Sequence, residues 1–253
     1  MHFVNNDALN KYVSERSGGT ALLSFSNGKD SLVAWLVMRR YFTKVIPFFL
    51  YRIPGMSFIE RSLAYYEDFF KTEIIRLPHP ALYITLNNLL YQSPEKCLPI
   101  ERYDLPEYDY DYVHTLLHED LFLPKEVYVA TGVTGADNMT RRISLKRNGP
   151  LNVNRGTFFP IFDYKKADLL RELRTANVKL PIDYHIFGRS FDGYNTQFFA
   201  PVKEHYPEDW KRILHWFGQA DLDILRNRFR EDYYNGTETT DENYFVETEE
   251  RSD

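Results

Sequence analysis

Ala21-Leu22-Leu23-Ser24-Phe25-Ser26-Asn27-Gly28-Lys29-Asp30-Ser31 joins an apolar run to an apolar-periodic segment through small polar residues, a glycine and a lysine. Ala21 to Phe25 has the length and content of a buried strand, and Leu32, Val33, Trp35, Leu36 and Met38 recur at spacings that lay an apolar stripe along one side of a helix. The reading is strand, loop, helix. The loop then sits at a helix N-terminus, where free backbone N–H groups and the positive end of the dipole favour an anion, and Gly28 lets the main chain come close to it. Lys29 adds a mobile cation suited to phosphate oxygens, and the Ser26 and Ser31 hydroxyls add donors.

The loop is not of the Walker type, because Gly28-Lys29 is followed by Asp30 and no glycine stands at the right place before it. The dinucleotide pattern Gly-x-Gly-x-x-Gly is absent as well. Ser26-Asn27-Gly28-Lys29-Asp30-Ser31 resembles the Ser-Gly-Gly-x-Asp-Ser loop of the PP-loop ATP pyrophosphatases (adenine nucleotide alpha hydrolase-like proteins), most closely in the form found in the phosphoadenosine phosphosulfate (PAPS) reductase-like branch. Asn27 replaces one glycine, and asparagine is among the few residues that tolerate a left-handed backbone. Val127 to Arg142, with Thr131-Gly132 ending an apolar run, is similar to the family's later strand. Phe159 to Leu170 resembles its Pro-Ile-x-Asp-Trp segment and the helix after it, and Leu180-Pro181-Ile182-Asp183-Tyr184-His185 its proline-tyrosine turn. The resemblance spans about residues 20 to 200.

It implies an α/β fold, a doubly wound, mostly parallel sheet with helices on both faces and a helical C-terminal extension. It implies ATP and Mg²⁺ as cofactors. By that resemblance Lys29, Asp30 and Arg141 are the expected catalytic residues. Ser24, Ser26, Asn27, Gly28, Lys29, Asp30, Ser31, Gly132 and Arg142 are expected to bind the nucleotide. Asp30 is the expected metal contact, with orienting Lys29 or capping the helix as the other roles open to it. Arg141, Arg142, Lys146, Arg147 and Arg155 form a basic cluster near the Thr131-Gly132 strand end, in which guanidinium groups can fork onto phosphate oxygens.

One departure bears on the chemistry. Where a PAPS reductase carries its nucleophilic cysteine this chain has Arg189-Ser190-Phe191-Asp192-Gly193-Tyr194, and its single cysteine is Cys97, far from that position. Thiol-based reduction needs an attacking thiolate and a resolving partner, and cysteine-held clusters or zinc need several thiolates. None can be built here, so Cys97 reads as a small buried hydrophobe. His114 and His118 share a helical face but lack the zincin glutamate, His215 reads as structural, and His185 is the histidine nearest the family's substrate-side turn.

The chain has 253 residues, 43% hydrophobic and 16% aromatic, enough for one large core. Alternating apolar runs and amphipathic segments imply βαβ units with right-handed crossovers. Val45 to Tyr51 reads as a second strand, Ser57 to Lys71 as an amphipathic helix and Glu73 to Leu77 as a short third strand. Residues 92–112, rich in proline, tyrosine and acids, read as an irregular insertion or lid over the ligand edge. The organisation expected is a nucleotide-binding domain over 1–203, helices over 204–235 packed on it, and an acidic, disordered tail over 236–253. Thr237 to Asp253 holds seven acids against Arg251, a charge of −6, which leaves about +1 of the total −5 for the rest. The near-neutral body gives no general indication of nucleic acid, although a nucleic-acid acceptor stays open. A lone cysteine, no signal-like start and no long apolar run point to a cytoplasmic protein without membrane contact, and a homo-oligomer stays open.

The function expected is cleavage of ATP between the α and β phosphates, with AMP transferred or transiently attached to an acceptor, a small phosphorylated metabolite or a nucleobase, and pyrophosphate released. Two other readings stand beside it. One is a PAPS- or APS-binding protein without cysteine-based reduction, the other a nucleotide-binding module without turnover.

Overall fold

The computed structural model describes residues 1–103, 105–230 and 233. Its elements run α1 (Asn6–Arg16), β1 (Thr20–Ser24), α2 (Lys29–Met38), β2 (Lys44–Tyr51), α3 (Ser57–Phe70), β3 (Ile75–Pro78), α4 (Pro80–Asn87), α5 (Pro94–Tyr103) and α6 (Tyr110–Asp120). Then follow β4 (Val129–Thr131), α7 (Met139–Asn148), β5 (Leu151–Asn152), β6 (Thr157–Phe158), α8 (Lys166–Ala176), α9 (Ile182–Phe187), α10 (Thr196–His205) and α11 (Pro207–Trp216). Residues 220–230 are helical too.

Successive side chains of a strand point to opposite faces of the sheet, and β1 shows what this does. Ala21 and Leu23 enter one core with Leu9 and Val13 of α1, α2, Phe58 and Leu63 of α3, and Leu169 of α8. Leu22 enters the opposite core with Phe48, Val129, and Val113 and Leu117 of α6. The sheet order is β3-β2-β1-β4-β6-β5, parallel throughout except for the β5–β6 pair at the edge. The molecule is thus an α/β protein with a doubly wound, mostly parallel sheet and helices on both faces. From β1 the chain crosses to β2 on one side, while β4 takes the other, so the strand order reverses between β1 and β4. Ligands of such sheets collect at the carboxyl ends of the strands at that reversal.

Local sequence accounts for most of the elements. Asn5 caps α1 by accepting from the Ala8 N–H at 2.9 Å, Asp109 caps α6 through the Tyr112 N–H at 2.7 Å, and Asn138 caps α7 through the Arg141 N–H at 2.8 Å. Pro80 and Pro207 occupy first-turn positions, where a missing N–H costs nothing.

Three expectations need correcting. α2 does not carry a single apolar stripe: Leu32, Val33, Ala34, Trp35, Val37 and Met38 are all buried, because α2 is packed between the sheet and α8, with Trp35 stacked on Phe70 at 3.9 Å. Residues 94–103 and 110–120 are helices rather than irregular chain, since Asp109 supplies a cap and Val113 and Leu117 a core-facing pair four apart. Cys97 is half-buried on α5, its thiol over the Ser93 carbonyl at 3.4 Å. Trp210 on α11 and Phe217 just past its end are in the core, while His215 is exposed. α10 runs through residue 203, and its Phe198, Phe199 and Val202 belong to the same core as α2. The acidic tail lies outside the described residues. Among those described, no helix is long and apolar enough to cross a membrane.

Candidate functional site

The loop from β1 to α2 is shaped from inside by Ser31. Its hydroxyl donates to the Gly28 carbonyl at 2.9 Å and accepts from the N–H groups of Ser26 at 3.2 Å and Gly28 at 3.3 Å, and from the Ser26 hydroxyl at 3.1 Å. Ser31 is 2% exposed, so it holds the loop closed rather than facing a ligand directly. Asn27 has φ of 54°, the left-handed backbone that its side chain tolerates. Gly132, just past β4, supplies the other wall: a Cβ there would lie 2.5 Å from the Ser31 nitrogen and 2.6 Å from the Asp30 carbonyl carbon. Only glycine allows the end of β4 to approach the first turn of α2 so closely.

A cavity of about 560 Å³ opens at this point. Ser24 and Ser26 line it from β1 and its loop, Thr131 and Gly132 from the end of β4, and Thr157 from β6. Its outer wall carries Arg141, Arg155, and Tyr110, Asp111 and His114 of α6, with Asp192 opposite. It therefore sits at the carboxyl ends of the parallel strands β1 and β4, at the reversal of strand order. A larger groove of about 800 Å³ adjoins it, sharing Asp111, His114 and Arg155 and continuing along α6 to His118, Phe122 and Lys125.

Of the expected residues, Ser24, Ser26, Gly132 and Arg141 line the cavity. Lys29 and Asp30, in the first turn of α2, pair with each other at 3.0 Å and are not among the residues that line it. Burial works against the Lys29 ammonium, but the hydrogen bond and charge of Asp30 outweigh it and hold its pKa above the ordinary lysine value. Burial raises the Asp30 carboxyl in turn, with Lys29 opposing, and its Oδ1 is buried without a hydrogen-bond partner. Arg141 pairs with Asp137 at 2.5 Å, and Asp137 also accepts from the Thr134 hydroxyl at 3.0 Å. Arg142 turns instead to the Gly135 carbonyl at 3.3 Å and does not line the cavity.

Four residues that the sequence reading named without assigning them to the site belong beside it. Arg155 lines both cavities and pairs with Asp111 at 3.2 Å. His114, whose pKa burial lowers, stands between the two. Asp183 and Tyr184 touch the loop directly: Asp183 accepts from the Asn27 amide at 2.9 Å, and the Tyr184 hydroxyl accepts from the Lys29 N–H at 3.1 Å. His185, the histidine of that turn, is exposed. The proline-tyrosine turn itself was the available signal.

No family model and no curated protein matches the chain. Among solved structures it is similar to an NH3-dependent NAD synthetase from Campylobacter jejuni, at 13% identity over 89% of this chain and 94% of that one, with a TM-score of 0.44. It is similar to the U34-tRNA thiolase NcsA from Methanococcus maripaludis at 12% identity, over 85% of this chain and 80% of that one, TM-score 0.45. A third is a predicted subunit of tRNA methyltransferase from Methanocaldococcus jannaschii, at 18% identity over 76% of this chain and 92% of that one, TM-score 0.32.

Proposed function

We propose that this chain is a PP-loop enzyme that binds ATP with Mg²⁺, breaks the bond between the α and β phosphates, and passes AMP to an acceptor. The observation that carries the proposal is the cavity at the reversal point of the sheet, walled by Ser24, Ser26, Gly132 and Arg141, next to the loop that leads to Lys29 at the start of α2. A nucleophile on the acceptor forms a bond to the α phosphorus as the bridging oxygen leaves, and the electron pair departs with pyrophosphate. Such transfer asks for charge compensation and in-line placement more than for a covalent protein nucleophile. Lys29, at the start of α2, and Arg141 on α7, held by Asp137, supply positive charge.

The donor set fits Mg²⁺. Among the described residues no three His, Cys, Asp or Glu side chains converge on one point, but Mg²⁺ at nucleotide sites is held by one or two carboxylates together with phosphates. Asp30, with an unpartnered buried oxygen, is the carboxylate in place. Bound there, Mg²⁺ neutralises charge on the phosphates.

The 800 Å³ groove is the proposed acceptor seat. It is of a size suited to a small molecule and reaches the nucleotide cavity past the Asp111–Arg155 pair. His114, kept neutral by burial, stands at the junction with an imidazole available to take a proton from the acceptor.

The test is pyrophosphate release from Mg²⁺ and ATP in the presence of metabolite and nucleic-acid pools, comparing the wild type with Lys29→Ala. A fall of at least about tenfold in turnover is expected on loss of this charge-assisted contact. Unchanged ATP affinity and turnover in Lys29→Ala would overturn the proposal. ATP binding with no pyrophosphate from any pool would favour a module without turnover.

A further inference from the structure

α6 ends on a Schellman turn, in which the Leu123 N–H donates to the His118 carbonyl at 2.8 Å and the Phe122 N–H to the Glu119 carbonyl at 3.2 Å. The left-handed position of such a turn is ordinarily glycine, but here Phe122 takes it, at φ of 52°. Its ring is 93% exposed, belongs to neither core, and lines the far end of the 800 Å³ groove. Phe122 follows His114 by eight residues, a distance of about 12 Å along the helix direction. An acceptor group at His114 and a flat group on Phe122 are therefore two separate rings.

From Phe122 a line of positive charge leads back past the nucleotide cavity. Lys125 lines the groove, Arg155 stands where groove and cavity meet, and Arg141 lines the cavity from α7. α7 itself buries no residue: Arg141, Arg142, Lys146 and Arg147 are all exposed, and the helix contains no acid. The acids that face this line are Asp111, paired with Arg155, Asp137, paired with Arg141, Asp192, paired with Arg189, and Glu119 on the groove wall. Among the described residues Lys125, Arg142, Lys146 and Arg147 have no carboxylate partner.

An exposed ring at one end of the groove and unpaired cations running past the other suit a polyanion that carries flat rings of its own. Stacking on aromatic side chains together with phosphate contacts is how single-stranded nucleic acids are held. An acidic peptide matches the cations but gives the ring nothing to stack on. We infer that the acceptor is a base within a single-stranded nucleic acid: a neighbouring base stacks on Phe122, and Lys125, Arg155 and the exposed cations of α7 hold phosphates along the strand. The inference rests on the nucleotide reading above and names the class of its acceptor. The near-neutral charge of the body is compatible with it, because four bases without an acid are concentrated on one helix beside the cavity.

The test is fluorescence anisotropy on the full chain with single-stranded RNA and DNA of about 16 nucleotides, the same strands with abasic sites, and polyglutamate of equal charge. The wild type should bind the RNA or the DNA, with affinity falling steeply between about 50 and 200 mM salt. Lys146→Ala combined with Arg147→Ala should weaken intact and abasic strands alike and flatten the salt slope by about 1.4. Phe122→Gly should weaken the intact strand about tenfold while leaving the abasic one within about twofold, and Phe122→Trp should bind as the wild type does. Because glycine suits the left-handed position, the urea midpoint of Phe122→Gly should be no lower than that of the wild type. A lower midpoint with equal loss of intact and abasic binding marks a structural ring and overturns the inference. Unchanged affinity in Phe122→Gly, or polyglutamate bound as tightly as the strand, overturns it as well. MgATP titrated into the wild type separates the two readings. MgATP bound with no strand bound at about 50 mM salt overturns the inference and leaves the nucleotide reading intact, whereas a wild type that binds no MgATP ends both.

Discussion

Asp183 shows how one residue can set the pH behaviour of a site. Burial pushes its carboxyl pKa up to about 6, against the lowering effect of the Phe191 N–H and the Asn27 amide. The neutral form is therefore favoured in the folded chain relative to the unfolded one, where a carboxyl titrates near 3.9. Stability from this group is complete below about pH 4 and is lost as pH rises through about 6. Two pKa units correspond to about 3 kcal/mol as an upper figure. Asn27 Oδ1 has no partner as it stands, so a turned Asn27 amide can accept from a neutral group at position 183. Asp183→Asn should then remove most of this pH dependence and be more stable than wild type at pH 7.5, with the two converging near pH 4. Urea unfolding at several pH values measures it, and parallel stability curves for the two proteins would show that Asp183 is not the titrating group.

At the scale of elements, the close approach of the end of β4 to the first turn of α2 is the contact that makes the cavity. Gly132→Ala forces a methyl group to 2.5 Å from the Ser31 nitrogen, a backbone atom that cannot swing aside. A cost of about 2–3 kcal/mol in unfolding free energy is expected, together with lost nucleotide binding. A cost under about 0.5 kcal/mol would mean that strand and helix separate freely. Other elements are positioned from a distance as well. The residue at the N-cap of α3 is Met56, which cannot cap, and Asp209 of α11 performs that task by accepting from the Ser57 N–H at 2.9 and 3.0 Å and from its hydroxyl at 2.7 Å. In the sequence Asp209 is only a favourable first-turn acid of its own helix.

For the whole molecule, ligand binding and folding are linked. A ligand that binds only the native state at a hundred times its Kd raises unfolding free energy by about 2.7 kcal/mol. Saturating MgATP should therefore shift the urea midpoint of the wild type upward, and shift that of Lys29→Ala less at the same concentration. Equal shifts would place the nucleotide away from the loop. Because α10 and α11 share the core with α2, the C-terminal helices should unfold with the sheet in that same transition.

The sequence by itself determined the strand, loop and helix around Ser26 to Ser31, the parallel character of the sheet, and the conformational reason for Asn27. Each follows from local pattern: apolar runs of strand length, a glycine and asparagine at a turn, and caps a few residues from what they cap. Tertiary structure alone decided that Arg155 and His114 face the cavity while Arg142 does not, and that Asp183 and Tyr184 close over the loop. Those placements depend on which strands become neighbours and which helix crosses the sheet edge. Such contacts join residues up to about 155 apart, and no local periodicity encodes the distance between them.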